Sequence, residues 1–237
     1  MNRKKRKYSD NFKLVLCLMN SKNISKIISL LKKEIKQFGN PISTEIGDRT
    51  RDPFLVLISC ILSLRTKDTT TGPAAKRLFS LADNPKDMLK LTKKQIEKVI
   101  FPVGFYPTKA KYIKQTCKRL INNHKSKIPK KEEELLKLPG IGRKCMGIVM
   151  CYGFNKNSHI PVDTHVHKLT NRLGWVKTKT PEKTEQALTK IIPKKYWHDL
   201  NNLLVAHGQN ICVPISPYCS KCYIRKYCPR INVKKSR

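Results

Sequence analysis

Apolar residues return every three or four positions along most of this chain, and nowhere do they alternate over a useful length. Between residues 24 and 38, Ile24, Ile27, Ile28, Leu31 and Ile35 fall on one stripe with lysines opposite, the pattern of an amphipathic helix. Residues 53–64 (PFLVLISCILSL) are apolar nearly all round and open on Pro53, a residue suited to a first helical turn. Such a helix belongs at the centre of a domain. Shorter helices are predicted at 73–82, 85–91, 93–100 and 108–123, divided by turn chemistry at Asp83-Asn84-Pro85 and Pro102-Val103-Gly104. Residues 131–138 and 143–153 form another pair, joined by Pro139-Gly140-Ile141-Gly142, and further helices are predicted at 163–173, 181–192 and 195–207. With no strand pattern and no internal repeat, the predicted class is all-α. The polar stretch FNKNSHIP (154–161) marks a boundary, and the closing INVKKSR (231–237) is expected to be loose.

A chain of 237 residues can bury a sizeable core, as one large domain or two small ones. Its 39% hydrophobic and 28% charged residues suit a soluble folded protein and exclude a disordered one. Charge changes the picture more. Lysine and arginine number 50 against 16 acids, a formal +34, which calls for a polyanionic partner. Nucleic acid leads, because each neutralised phosphate releases counterions; an acidic membrane surface is the weaker alternative, and a general abundance of Lys, Asn and Ile accounts for part of the excess. No stretch approaches the ~20 apolar residues of a transmembrane helix. The opening MNRKKRKYSDNFK lacks the apolar core of a secretory signal, and its lysines and Asp10 do not suit a mitochondrial transit peptide. The run Arg3–Lys7 reads as a nuclear address, an arm on phosphates or a solvated tail. Cys17, Cys60, Cys117, Cys145 and Cys151 are scattered among apolar neighbours, as reduced core thiols of an intracellular protein would be.

Three motifs carry chemistry. Cys212, Cys219, Cys222 and Cys228 read C-x6-C-x2-C-x5-C, with Pro229 after the last. Loops this short can bring four thiolates around one metal centre. Only one C-x2-C knuckle is present, where structural zinc usually takes two, so the spacing favours a [4Fe–4S] cluster; zinc and a pair of disulfides remain the alternatives. The second motif is Leu138-Pro-Gly-Ile-Gly-Arg-Lys144. Two glycines between helices permit torsions that side chains oppose, and the turn aims N–H groups from a helix start, a phosphate grip that reads no sequence. An ordinary helix–helix corner is the alternative, which Arg143 and Lys144 make less apt. The third is Val162-Asp163-Thr164-His165-Val166-His167, where Asp163 stands at a helix start as an N-cap or a functional carboxylate. The two histidines, two positions apart, cannot share a helix face for a metal and are expected to pack or touch phosphate.

Together LPGIGRK, VDTHVHKLTNRLGW and the cysteine run resemble the endonuclease III family of DNA repair glycosylases, and the segments 100–116 and 197–219 are similar to its eukaryotic branch. The resemblance runs from about Arg51 to Cys228. It implies a two-lobed, all-helical fold: a six-helix barrel with the helix–hairpin–helix over residues 46–156, and an iron–sulfur cluster domain from 22–45 and 157–230, behind a basic tail at 1–21. It implies Lys144 as nucleophile, Asp163 as its essential carboxylate partner, Gly140 and Gly142 in the hairpin that grips DNA with Arg143 nearby, and the four cysteines as ligands of a [4Fe–4S] cluster. Where many relatives carry glutamine to fill the gap left by the flipped nucleotide, this chain has Arg65. The stretch VPISPY between Cys212 and Cys219 lacks basic residues found in some relatives, which Lys221, Arg225 and Lys226 could replace.

The implied partner is duplex DNA with damaged pyrimidines or abasic sites, bound by a monomer, with nuclear localisation and no membrane. The implied reaction is base removal by lysine attack on C1′, then β-elimination. A lysine at its ordinary pKa of about 10.4 is neutral only once in several thousand molecules at pH 7. Neighbouring cations and desolvation favour the neutral amine, whereas a carboxylate opposes it; Asp163 therefore stabilises charge on the sugar and moves protons. Two other readings stand beside this one: a monofunctional adenine glycosylase of the same fold, and a metal-stapled DNA-binding protein without catalysis.

Overall fold

A computed structural model describes residues 23–237; the run Arg3–Lys7 and Cys17 lie outside the described residues. The chain divides into two compact units, Pro41–Pro161 and a second formed by the segments up to Asn40 and from Val162 to Arg237. Among the described residues there is no strand, and no helix is long and apolar enough to cross a membrane.

The unit Pro41–Pro161 is built on its most apolar helix. Labelling in chain order, α1 is Ile24–Glu34, α2 Ile42–Thr50 and α3 Pro53–Ser63. Asp52 opens α3 by accepting hydrogen bonds from the N–H groups of Phe54 (2.7 Å) and Leu55 (3.4 Å), satisfying donors that a helix start leaves over. Phe54, Val56, Leu57, Ile58, Cys60, Ile61 and Leu62 are all buried, so the all-round apolar pattern does mark a central helix. Around it pack α2, α4 (Asp68–Leu81) and α7 (Tyr106–His124), with α5 (Pro85–Lys90) and α6 (Lys93–Ile100) against α7. A closing pair, α8 (Glu132–Leu136) and α9 (Arg143–Ile148), ends the unit, α9 continuing as a wide π turn to Gly153.

Two elements depart from the periodicity. α4 begins at Asp68, not near Pro73, and carries that proline inside it. Thr-Thr-Thr-Gly-Pro is poor helix material, but burial of Thr71, Ala74, Ala75 and Leu78 at helical spacing outweighs it. α2 was invisible to the pattern because Ser43, Thr44 and Gly47 form much of its buried face.

The second unit holds α1, α10 (Thr164–Arg172), α11 (Pro181–Ile191), α12 (Trp197–Asn210) and the cysteine loop. The α1 stripe is buried at Ile24, Ile27, Ile28 and Leu31, joined by Glu34; the helix then tightens into a 3-10 turn, Ile35–Gln37. The final segment is not loose. Ile231 donates to Arg172 O (3.1 Å), Arg237 N to Pro217 O (2.8 Å) and Ser220 N to Arg237 O (2.9 Å), while the Arg237 guanidinium lies 4.0 Å from the Tyr218 ring centroid. Backbone pairing returns this tail to the cysteine loop, which composition could not reveal.

Candidate functional site

The hairpin between α8 and α9 is closed by Ile141 N donating to Leu138 O (3.1 Å), and α9 starts from Gly142, whose carbonyl accepts from Met146 N (3.0 Å). The two glycines differ in kind. Gly140 has φ +77°, and a Cβ there would stand 2.6 Å from Cδ2 of the Tyr112 ring, so only glycine fits both torsion and space. Gly142 has φ −100° and ψ −178°, extended backbone open to any residue, with nothing within 4 Å of an added Cβ. The expectation that both glycines meet a torsional need is thus corrected at Gly142. Its exposure instead leaves the head of α9 open to a ligand.

Arg143 is exposed and Lys144 half-buried on the first turn of α9. Immediately after them Cys145 is buried and hydrogen-bonded to the buried Cys60 of α3; that hydrogen bond and burial push the Cys60 thiol well up. Burial also pushes Cys117 up to about 12. These are protonated core thiols, and the first of them seats the Lys144 turn on the central helix.

Arg65 follows α3 in the same unit. It is exposed, with a left-handed backbone (φ 51°), and its guanidinium lies 5.7 Å from the centroid of the Phe105 ring. Phe105 is itself left-handed (φ 56°) and 61% exposed. An exposed aromatic face beside a cation can stack on an unpaired base. The sequence reading overlooked Phe105; the available signal was an aromatic directly after Gly104 in a turn.

Asp163 belongs to the other unit, where it caps α10: its Oδ1 accepts from Val166 N at 2.9 Å. The carboxylate is half-buried, so capping leaves it partly accessible. His165 packs against Gly208, where a Cβ would come within 2.7 Å of its Nδ1. His167 Nδ1 is 2.6 Å from Thr184 Oγ1. Both histidines therefore serve packing.

Cys212, Cys219, Cys222 and Cys228 line one cavity in this unit, walled by apolar Leu169, Leu173 and Ile224. All four are free thiols here. Among the described residues no group of three or more His, Cys, Asp or Glu is placed to hold a single metal ion. Two cationic side chains serve the sulfurs. Arg172 donates to Cys212 Sγ (3.1 Å) and to the carbonyls of Cys212 (3.1 Å), Val213 (3.0 Å) and Pro214 (2.8 Å). His207 Nε2 is 3.9 Å from Cys222 Sγ, and its Nδ1 pairs with Glu34. Burial works against a charged His207, but Cys212, Cys222 and Glu34 outweigh it and hold its pKa well up. Burial likewise opposes ionisation of Cys212, and His207 and Arg172 overcome it, bringing that thiol down. Cys228 is pushed up to about 11 by burial and by the other three cysteines. Four cysteines lining one largely apolar cavity, with Arg172 and His207 beside their sulfurs, have the chemistry of a thiolate-ligated centre. Glu34 and His207, both 2% exposed, were missed by sequence reasoning.

Comparison with known proteins accords with this architecture. Residues 58–194 match the model of the HhH-GPD superfamily of base excision DNA repair proteins. The chain is 44% identical over 177 residues to endonuclease III of Thermotoga maritima, covering 75% of this chain and 83% of that protein. It is 42% identical over 178 residues to endonuclease III-like protein 1 of Gallus gallus, covering 74% of this chain and 63% of the relative. A solved structure of a trapped endonuclease III–DNA covalent intermediate superposes with a TM-score of 0.77 at 29% identity, over 89% of this chain and 96% of that one. The chain belongs to the HhH-GPD superfamily of base excision DNA repair proteins and, within it, to the endonuclease III family of DNA glycosylases.

Proposed function

We propose that this glycosylase acts as a monomer on duplex DNA, removes oxidised pyrimidines and cuts the resulting abasic site through a Schiff base on Lys144. The observation that carries the reading is Lys144 on the first turn of α9, directly after the hairpin suited to a phosphate. The 29% identical structure of a trapped endonuclease III–DNA covalent intermediate supports a covalent route.

In this reading the hairpin at Gly140–Gly142 and Arg143 hold the DNA backbone without regard to sequence, and the damaged base leaves the stack, at least cost where pairing is already weakened. The Lys144 Nζ lone pair forms a bond to C1′ as the glycosidic C1′–N bond breaks. The base leaves with that bond's electrons and takes up a proton. Asp163 stabilises positive charge developing on the sugar and carries protons. The Nζ lone pair then opens the sugar ring, the C1′–O4′ bond breaking and O4′ taking up a proton as the C1′=N iminium forms. Loss of a C2′ proton from that iminium expels the 3′ phosphate. Cys212, Cys219, Cys222 and Cys228 would hold a [4Fe–4S] cluster, the ligand count such clusters take. Bound there, the cluster supplies a covalent staple for the loop between α12 and the chain's last residues.

Borohydride trapping tests the reading. Wild-type protein should become covalently attached to duplex containing an abasic site or thymine glycol. Lys144→Gln should lose adduct and strand cleavage yet still bind duplex, and Asp163→Asn, which can still cap α10, should fold but lose most base excision. An adduct formed by Lys144→Gln at the wild-type rate would assign the nucleophile elsewhere. Excision without any adduct in the wild type would favour the monofunctional glycosylase. Purified protein should be yellow-brown with about four irons per chain; one zinc in colourless protein would overturn the cluster.

A further inference from the structure

Lysine side chains normally keep their charge in water, yet Lys109, on the second turn of α7, is 3% exposed. Its Nζ donates to Leu62 O (2.6 Å), Leu64 O (2.5 Å) and Thr66 Oγ1 (2.9 Å). Three acceptors match the three N–H bonds of an ammonium. Burial brings its pKa down to about 8, so at neutral pH it keeps the third proton. Two of the acceptors are carbonyls at the end of α3, groups that a helix leaves unpaired; the third lies beyond them, and Arg65 sits in between. Thr66 Oγ1 also accepts from Gly104 N (3.1 Å). A Cβ at Gly104 would stand 3.1 Å from Arg65 O, so the turn bearing Phe105 packs closely on the one bearing Arg65. Both turns thus meet at one buried ammonium, while Arg65 and Phe105 project from them.

We propose that Lys109 is a positioning residue for DNA binding: by clamping Leu62, Leu64 and Thr66 it holds Arg65 left-handed and presets the Arg65–Phe105 pair to receive an unstacked base. This rests on the reading that the protein acts on bases extruded from duplex DNA. A left-handed conformation is costly for a residue with a side chain. Without the clamp the Arg65 turn relaxes, and DNA must restore it on binding. The cost then falls on substrate affinity and not on the chemical step.

The molecule supplies its own control. Lys114, farther along α7, donates in the same way to Leu89 O (2.5 Å) and Leu91 O (2.5 Å) at the end of α5. Lys109→Met and Lys114→Met remove similar clamps, and only the first touches the Arg65 turn. On thymine glycol duplex, Lys109→Met should raise KM about tenfold, the ratio that about 1.4 kcal/mol represents, with kcat within about twofold, whereas Lys114→Met should leave KM near wild type. 2-Aminopurine opposite the lesion should brighten on binding wild type and Lys114→Met, and much less with Lys109→Met. Amide hydrogen exchange at Arg65 and Thr66 should accelerate in Lys109→Met alone, with or without DNA.

Unchanged KM and exchange in folded Lys109→Met would overturn the proposal, as would an equal KM rise in Lys114→Met. If wild type processes no lesion but exchange responds as stated, the function reading fails and the clamp stands. Should Lys109→Met not fold, Thr66→Val carries the test, with a KM rise of roughly tenfold expected for losing the Oγ1 acceptor of both Lys109 Nζ and Gly104 N and an unchanged KM overturning the proposal.

Discussion

At the scale of single residues, glycine separates structure from binding. Gly140 needs its left-handed torsion and the space beside Tyr112. Gly140→Ala should therefore cost about 1–2 kcal/mol in torsion alone, lowering the melting temperature by about 2–8 °C for a protein of this size. Gly142 has neither constraint. Gly142→Val should melt within a few degrees of wild type, the cost of a poorer N-cap, yet bind every duplex more weakly, because its side chain occupies the approach to the head of α9. Calorimetry and fluorescence anisotropy on the same two proteins would read the contrast; a duplex affinity unchanged in Gly142→Val would remove the hairpin from the DNA interface. From the motif alone the two glycines looked equivalent. Their difference lies in a ring from α7 that packs beside one and not the other.

At the scale of elements, most helices were legible because an apolar stripe at helical spacing needs only a neighbour to cover it. α6 matches its predicted span of 93–100, and α3 stops one residue short of its own. What failed did so where burial overrode local preference, in α2 and at the start of α4. α10 shows how an element can be legible while its role is not. Its last residue, Arg172, read as part of a helix, turns a fork of donors onto Cys212 Sγ and three consecutive carbonyls of the cysteine loop. Arg172→Lys cannot reproduce that fork. It should leave acceptors unpaired at a cost of about 1–3 kcal/mol. The purified variant should hold less iron per chain, bleach faster in air and be cleaved more readily by protease after Cys212, with Lys144 unaltered. Full iron content and wild-type protease resistance would assign the loop's order to the remaining contacts.

At the scale of the whole molecule, the formal charge of +34 bears on every encounter with DNA. Affinity for undamaged duplex should fall linearly on a log–log plot against salt and lose at least about a hundredfold between 50 and 200 mM, with little dependence on sequence. Binding that is flat with salt would separate the charge excess from DNA recognition.

The sequence by itself determined the helical class, the central helix, the hairpin and the four-cysteine loop, because each is written in residues close along the chain. Periodicity, turn chemistry and ligand spacing act over a few positions, where backbone geometry alone relates one side chain to the next. Only the tertiary structure decided which polar groups are buried and what they hold. Glu34 meets His207 across 173 positions, and Lys109 reaches Leu62 across 47. In the sequence each is one more charged residue on an amphipathic helix. A charge takes on structural weight when water is removed from it and a partner supplied; here those partners come from distant segments, and folding alone brings them together.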